Sequence, residues 1–273
     1  MTGFTPVDDP DDPRLAAFRL NERGLSSRTQ RRDDRGDGWF IAEGDLVVER
    51  ALSAGCVPVM ALSDRDRPDP VARVLAASVP VYTGDDPFRR IVTQNGVTNS
   101  LLAIFERPAR PTVADLARTS THLVVAEAVD NPVNIGSIVR NAAGLGWHGL
   151  VLDQTSADPL ARRALRVSMG HAVAFAHART ADLPGALHAL VDAGFTVLAL
   201  TPGGHAIDLD DVLARLEPAP RIALVVGSER AGIGDDVLAL ATHRVRIPMA
   251  GGIDSLNAAA ATAVACHVLR PRA

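Results

Sequence analysis

Between His122 and Met249 short apolar runs alternate with segments of helical spacing, and this alternation constrains the fold more than any other feature of the chain. HLVVAEA, HGLVLD, FTVLAL, RIALVVG and RVRIPM are brief, rich in β-branched residues and almost continuously apolar, as strands buried on both faces are. A further strand is expected near AVAFAHAR. IGSIVRNAAGLG, a stretch around Pro159 to Arg166, LPGALHALVDAG, LDDVLARL and DDVLAL read as the helices between them. Six or so strands alternating with helices predict an α/β unit built on a mostly parallel sheet. In such sheets ligands bind beyond the carboxyl ends of the strands, so the loops after VAEA, VVG and RIPM are the places to look.

A smaller α/β unit precedes it. WFIAE, VPVMAL, VPVY and SLLAIFE read as strands, with helices over GDLVVERALSAG, Pro70 to Ala77 and Asp86 to Val92. The prolines and mixed charge of ERPARPTVAD mark a linker. The expected organisation is an N-terminal extension over residues 1–38, a first domain over 39–106, a linker over 107–118 and a second domain over 119–273. The extension is rich in Asp, Arg and Pro, with a short helix expected over Arg14 to Leu20. Arg28, Arg31, Arg32 and Arg35 form the densest positive run. Asp33, Asp34 and Asp37 partly neutralise it, which favours a solvated loop, while pairing of arginine with RNA phosphate is the alternative.

The 273 residues, 47% hydrophobic and 22% charged, are enough for two globular domains. No apolar stretch is long enough for a membrane span, and the acidic N-terminus MTGFTPVDDPDDPR is no signal peptide, so a cytoplasmic protein is expected. Cys56 and Cys266 are too few for a disulfide framework, and the eight histidines form no HExxH or Cys-His cluster, so no metal is expected. A net charge of -4 excludes a uniformly basic surface; a nucleic acid would have to be met by a local patch.

GLGWHG, with Gly144, Gly146 and Gly149, matches a dinucleotide fingerprint only formally, because it closes a helix and precedes a strand. GSERAGIG lacks the Lys-Ser/Thr end of a phosphate-binding loop, and no GxSxG supports serine hydrolysis. RIPMAGGIDSLN is more informative. Pro248 stops a strand, Gly251 and Gly252 permit close backbone approach, and Asp254, Ser255 and Asn257 stand where the alanine-rich helix after them needs caps.

DNPVNIGSIVRNA (residues 130–142), LVVGSERAGI (224–233) and RIPMAGGIDSLN, in this order and spacing, resemble the three motifs of the SpoU (TrmH-like) RNA 2'-O-ribose methyltransferases of the SPOUT superfamily, over residues of about 120 to 270. The first domain, with FIAEG before a helix and TQNGV before its last strand, is similar to the L30e-like RNA-binding domain of many members. The resemblance implies a C-terminal sheet tied in a deep trefoil knot, a homodimer with its active site at the subunit interface, S-adenosyl-L-methionine as methyl donor and RNA as substrate.

It also implies roles for particular residues. Gly227, Ile247 and Leu256 match cofactor-contact positions, and Met249 adds an apolar side chain to the same pocket. Gly227 would leave the cofactor unobstructed by a Cβ. Arg140 matches the central catalytic arginine, beside the 2'-hydroxyl and phosphate of the target. A guanidinium can clamp the phosphate and stabilise a developing alkoxide, but it gives up its proton too reluctantly to be a natural base. Asn134 would orient Arg140 or the ribose, Glu229 would hold the loop or pair with a cation, and Ser255 and Asn257 would bond the ribose or Glu229; capping is the plainer role for Asn134, Ser255 and Asn257. Arg230 departs from the glycine common after that glutamate. Ribosomal RNA is favoured over transfer RNA; an inactive RNA-binding or ribosome-associated protein on the same fold is the alternative, and a base methyltransferase a second.

Overall fold

The computed structural model describes residues 3–33, 36–94, 99–203, 205–216, 220–252 and 254–271. They form two compact units: one comprises Met1–Ala109 with Leu160–Ala174, the other Arg110–Pro159 with Phe175–Ala273.

The first unit holds β1 (Phe4–Pro6), β2 (Trp39–Glu43), β3 (Pro58–Asp64), β4 (Val81–Gly84) and β5 (Leu101–Glu106) in the order β1-β4-β3-β5-β2. The β1–β4 and β3–β4 pairs are parallel, while β5 runs antiparallel to both β2 and β3. Ile41, Leu62, Tyr82 and Ile104 from these strands pack with Phe88 and Val92 of the helix Asp86–Thr93. The N-terminal segment does more than the sequence suggested. It supplies β1, and Leu15, Phe18 and Leu25 join the same core. Its few apolar residues are diluted by Asp, Pro and Arg, so composition conceals them. The arginine run, expected as a solvated loop, is helical over Arg28–Asp33, and Arg35 lies outside the described residues. So do residues 95–97 of TQNGV.

Residues 160–174 leave the second unit and pack into the first. Glu43, whose side chain is only 2% exposed, accepts from Nε of Arg162 at 2.6 Å and from Arg166 at 2.7 Å. Where a strand was expected near AVAFAHAR, the chain forms the short helix His171–Ala174 followed by the strand His177–Arg179. A brief apolar run fits either state, and its neighbours decide.

The second unit holds β6 (His122–Ala126), β7 (Gly149–Leu152), β8 (His177–Arg179), β9 (Phe195–Leu200), β10 (Ile207–Asp208), β11 (Arg221–Val226) and β12 (His243–Arg246). All pairings in this seven-stranded sheet are parallel, in the order β10-β12-β9-β11-β6-β7-β8. Strand β10, two residues long, has no sequence signal. Val125, Val197, Ala223 and Val225 from three adjacent strands pack with Leu187 and Leu190 of the helix Leu183–Asp192. Because the strands are parallel, the loops after β6, β9, β11 and β12 leave the sheet on one side. The helix Pro132–Gly144, which follows β6, packs against the last helix, Ala258–Val268. Gly146, at φ 79°, turns the chain out of the first of these, and Gly149 opens β7.

Candidate active site

The alanine-rich helix Ala258–Val268 begins at Asn257, whose side-chain oxygen accepts from the backbone N–H of Ala259 at 2.9 Å and Ala260 at 3.2 Å. This cap fixes which way the amide faces. Its Nδ2 therefore points away from the helix, where it donates to Asn134 Oδ1 at 3.0 Å and to Glu229 Oε1. Asn134, itself buried, donates its own Nδ2 to Glu229 Oε1 at 3.0 Å. Three segments distant in sequence thus meet in one directed network, in which both amides donate hydrogen bonds to a single carboxylate oxygen. Asn134 does not cap its helix. Asn131 does, accepting from Val133 N–H at 2.9 Å, with Pro132 at the first helical position.

Beside this network lies a cleft of about 760 Å³. Its walls are Leu200 to Pro202 at and beyond the end of β9, Val226 to Ile233 at and beyond the end of β11, Ile247, Met249 and Asp254 to Asn257 after β12, and Ala258 and Ala261 from the last helix. Gly227, Ile247, Met249, Leu256, Ser255, Glu229 and Asn257 are thus brought to one cavity. Met249 and Leu256 are 37% and 38% exposed, so their apolar surface faces open space. Arg140 is not among the residues lining the cleft and is exposed. Six helical residues past Asn134 amount to about 9 Å of rise and a different face of the helix.

Gly227 is glycine for a reason other than the one expected. A Cβ there would stand 2.2 Å from Gly232 O and 2.6 Å from Ile233 N, so it is the returning backbone of its own loop that excludes a side chain. The loop folds back tightly: Gly232 N–H donates to Ser228 O at 2.9 Å and Ala231 N–H to Ser228 Oγ at 3.1 Å. Arg230 sits in this turn and lines the cleft, so the cation in place of a common glycine is accommodated at the exposed side.

Two contributions escaped the sequence. Thr201 and Pro202 line the cleft, and the signal was available, since TPGG follows an apolar strand much as PMAGG does. Glu127, at the end of β6, accepts from Gly234 N–H at 3.0 Å. Burial raises its pKa above the ordinary glutamate value, Asp236 and Asp153 raise it further, and the Gly234 N–H opposes them. Nothing in the sequence marks a carboxylate whose partner is a backbone amide. Among the described residues no group of three or more His, Cys, Asp or Glu side chains could hold a metal ion, and no helix is long and apolar enough to cross a membrane.

Residues 121–267 match the model of the SpoU rRNA methylase family. The chain is 40% identical over 263 residues to an uncharacterised tRNA/rRNA methyltransferase of Mycobacterium bovis, covering 96% of this chain and 90% of that protein. Its structure is similar to that of an AdoMet-bound rRNA methyltransferase from Sinorhizobium meliloti, with a TM-score of 0.80 at 24% identity over 97% of both chains. It is also similar to the SpoU methyltransferase AviRb from Streptomyces viridochromogenes in complex with AdoMet, with a TM-score of 0.72 at 26% identity over 93% of this chain and 94% of that one. With the family model covering the unit that holds the cleft, and with a relative this similar along nearly the whole length, the chain belongs to the SpoU rRNA methylase family.

Proposed function

We propose that this protein transfers a methyl group from S-adenosyl-L-methionine to a ribose 2'-hydroxyl of a structured RNA, with ribosomal RNA favoured over transfer RNA. The observation that carries the reading is the Asn134–Glu229–Asn257 network at the edge of a cleft with apolar walls. The residues suit the cofactor. The cleft volume falls within the roughly 300–1,000 Å³ typical of small-molecule sites. Ile247, Met249 and Leu256 offer apolar surface for an adenine, and Glu229 and Asp254 offer carboxylates near a ligand with an ammonium and a sulfonium. AviRb and the Sinorhizobium meliloti enzyme, similar in fold, are described with AdoMet bound.

The cofactor, when bound, supplies a methyl group activated for in-line attack by the 2'-oxygen. The chain supplies orientation and electrostatics. Glu229, held by two amide donors, presents a fixed carboxylate, and Ser255 offers its hydroxyl to the ribose. Arg140 would clamp the target phosphate and stabilise the developing alkoxide, an effect on the order of a hundredfold for one well-placed group. It acts as a cation, since a guanidinium stays protonated.

The protein acts as a homodimer in this reading. The helices Pro132–Gly144 and Ala258–Val268 each leave a valine uncovered, Val133 at 39% and Val264 at 40% exposure. An active site at the subunit interface accounts for Arg140 lying outside its own subunit's cleft: it would serve the cleft of the other. The first unit, as an L30e-like domain, would capture the RNA.

The test is transfer of label from methyl-labelled cofactor to total RNA, followed by separation of ribosomal from transfer RNA and nucleoside mass spectrometry. A 2'-O-methylated nucleoside in ribosomal RNA is expected, and its loss in Arg140→Ala. No transfer to any RNA, a methylated base, or full activity of Arg140→Ala would each defeat the proposal.

A further inference from the structure

At the end of β6 the chain follows a path that L-residues rarely take. Ala128 lies in the left-handed region at φ 52°. Asp153 holds it there by accepting its N–H, and Val129 N–H donates to Ser156 Oγ at 3.1 Å. Arg179 braces that supporting loop, donating to the carbonyls of Asp153 at 2.6 Å and Ser156 at 2.9 Å. Backbone strain that the surroundings over-determine in this way clusters at functional sites. Its effect is to place Glu127. The Glu127 N–H donates to Val226 O at 2.9 Å, and its Oε2 accepts from Gly234 N–H at 3.0 Å. The two bonds grip both ends of the loop that carries Glu229.

We propose that Glu127 is a positioning residue for methyl transfer, whose carboxylate fixes the Gly227–Gly234 loop and thereby the placement of Glu229 and of one wall of the cofactor cleft. The proposal rests on the function proposed above. A hydrogen bond to an ionised acceptor is roughly twice as strong as its neutral counterpart, so protonation of Glu127 weakens the grip. The charged groups that act on it are Asp153, from the loop after β7, and Asp236, from the helix after Gly234, and both disfavour its ionised form together with burial. Protonation therefore begins at higher pH than for an ordinary glutamate, and the loop loosens as pH falls through that range.

Three proteins decide the matter: wild type, Glu127→Gln and Glu127→Ala. Cofactor affinity is measured by calorimetry without RNA from mildly acidic to mildly basic pH, and amide exchange of residues 226–234 by mass spectrometry. Both variants are expected to bind cofactor about tenfold more weakly at neutral pH. Wild-type affinity should fall on the acid side, whereas Glu127→Gln, which mimics the protonated carboxyl without changing its shape, should stay at the wild type's acid-limit value throughout. Exchange in the loop should be faster in Glu127→Ala. Wild-type exchange rates in that variant, wild-type affinity in either variant at neutral pH, or an unchanged acid limb in Glu127→Gln overturns the proposal. If wild type binds no cofactor, the proposed function fails instead, and the exchange rates alone decide whether Glu127 holds the loop.

Discussion

The Asn257 side chain accepts through its oxygen from the first turn of the last helix and donates through its nitrogen to Asn134 and Glu229, so the two ends of one amide can be tested apart. Asn257→Asp keeps the cap, since aspartate is an equally good N-cap, but sets a second carboxylate against Glu229. It should retain most of the stability while losing methyl transfer by about tenfold or more. Asn257→Ala should lose activity and also about 1 kcal/mol of stability in urea unfolding. If Asn257→Asp is as active as wild type, the network has no catalytic part. Gly227→Ala places a Cβ within 2.2 Å of backbone that cannot swing aside, so it should cost about 1–3 kcal/mol in the same measurement and weaken cofactor binding. That Asn134, Glu229 and Asn257 come together was legible only through the resemblance of their three segments to a known family's motifs. The need for glycine at Gly227 was legible but its cause was not, because a sequence does not reveal which backbone returns to meet it.

Among the elements, period and apolar run length recovered the central strands and the helices between them, since these bury large continuous faces. What was missed is held by non-local pairing. Strand β1, three residues long, exists through its register with Val81 to Thr83, and β10 through its pairing with β12. The end of the last helix has its own clasp. Trp147 donates Nε1–H to Cys266 O at 3.1 Å, and the buried His122 ring donates to the Leu269 carbonyl. Burial, with the neighbouring His148, pushes the His122 pKa down to about 4. The native state therefore resists a proton that the unfolded chain takes up near pH 6.5. Stability should be fully present above that pH and should fall as pH drops toward about 4, by on the order of 3 kcal/mol. Urea midpoints measured across this interval check the claim, and His122→Gln should flatten the dependence. An equally steep loss in that variant would assign it to other groups.

At the scale of the molecule, the parallel order of the second sheet follows from alternation of strands and helices only as a class; which strand lies beside which was not readable. The proposed dimer makes a prediction at this scale. Val264→Glu places a charge on an exposed position and should leave the fold intact while shifting sedimentation from dimer to monomer and abolishing activity. In mixed dimers, Arg140→Ala subunits combined with Glu229→Gln subunits should regain activity if each cleft borrows the arginine of the other subunit. No recovery would place Arg140 and Glu229 of one chain in the same site. The excursion of Leu160–Ala174 into the first unit bears on how the protein is made. Leu160, Leu165 and Val173 are buried there, and Arg162 satisfies Glu43, so the first unit lacks part of its interior until synthesis has passed Ala174. Domains usually fold one after another as they leave the ribosome, N-terminal first. Here the earlier unit has to wait for a segment encoded inside the later one. A fragment of residues 1–109 should accordingly emerge unfinished and prone to aggregate, and supplying residues 160–174 as a separate peptide should rescue it.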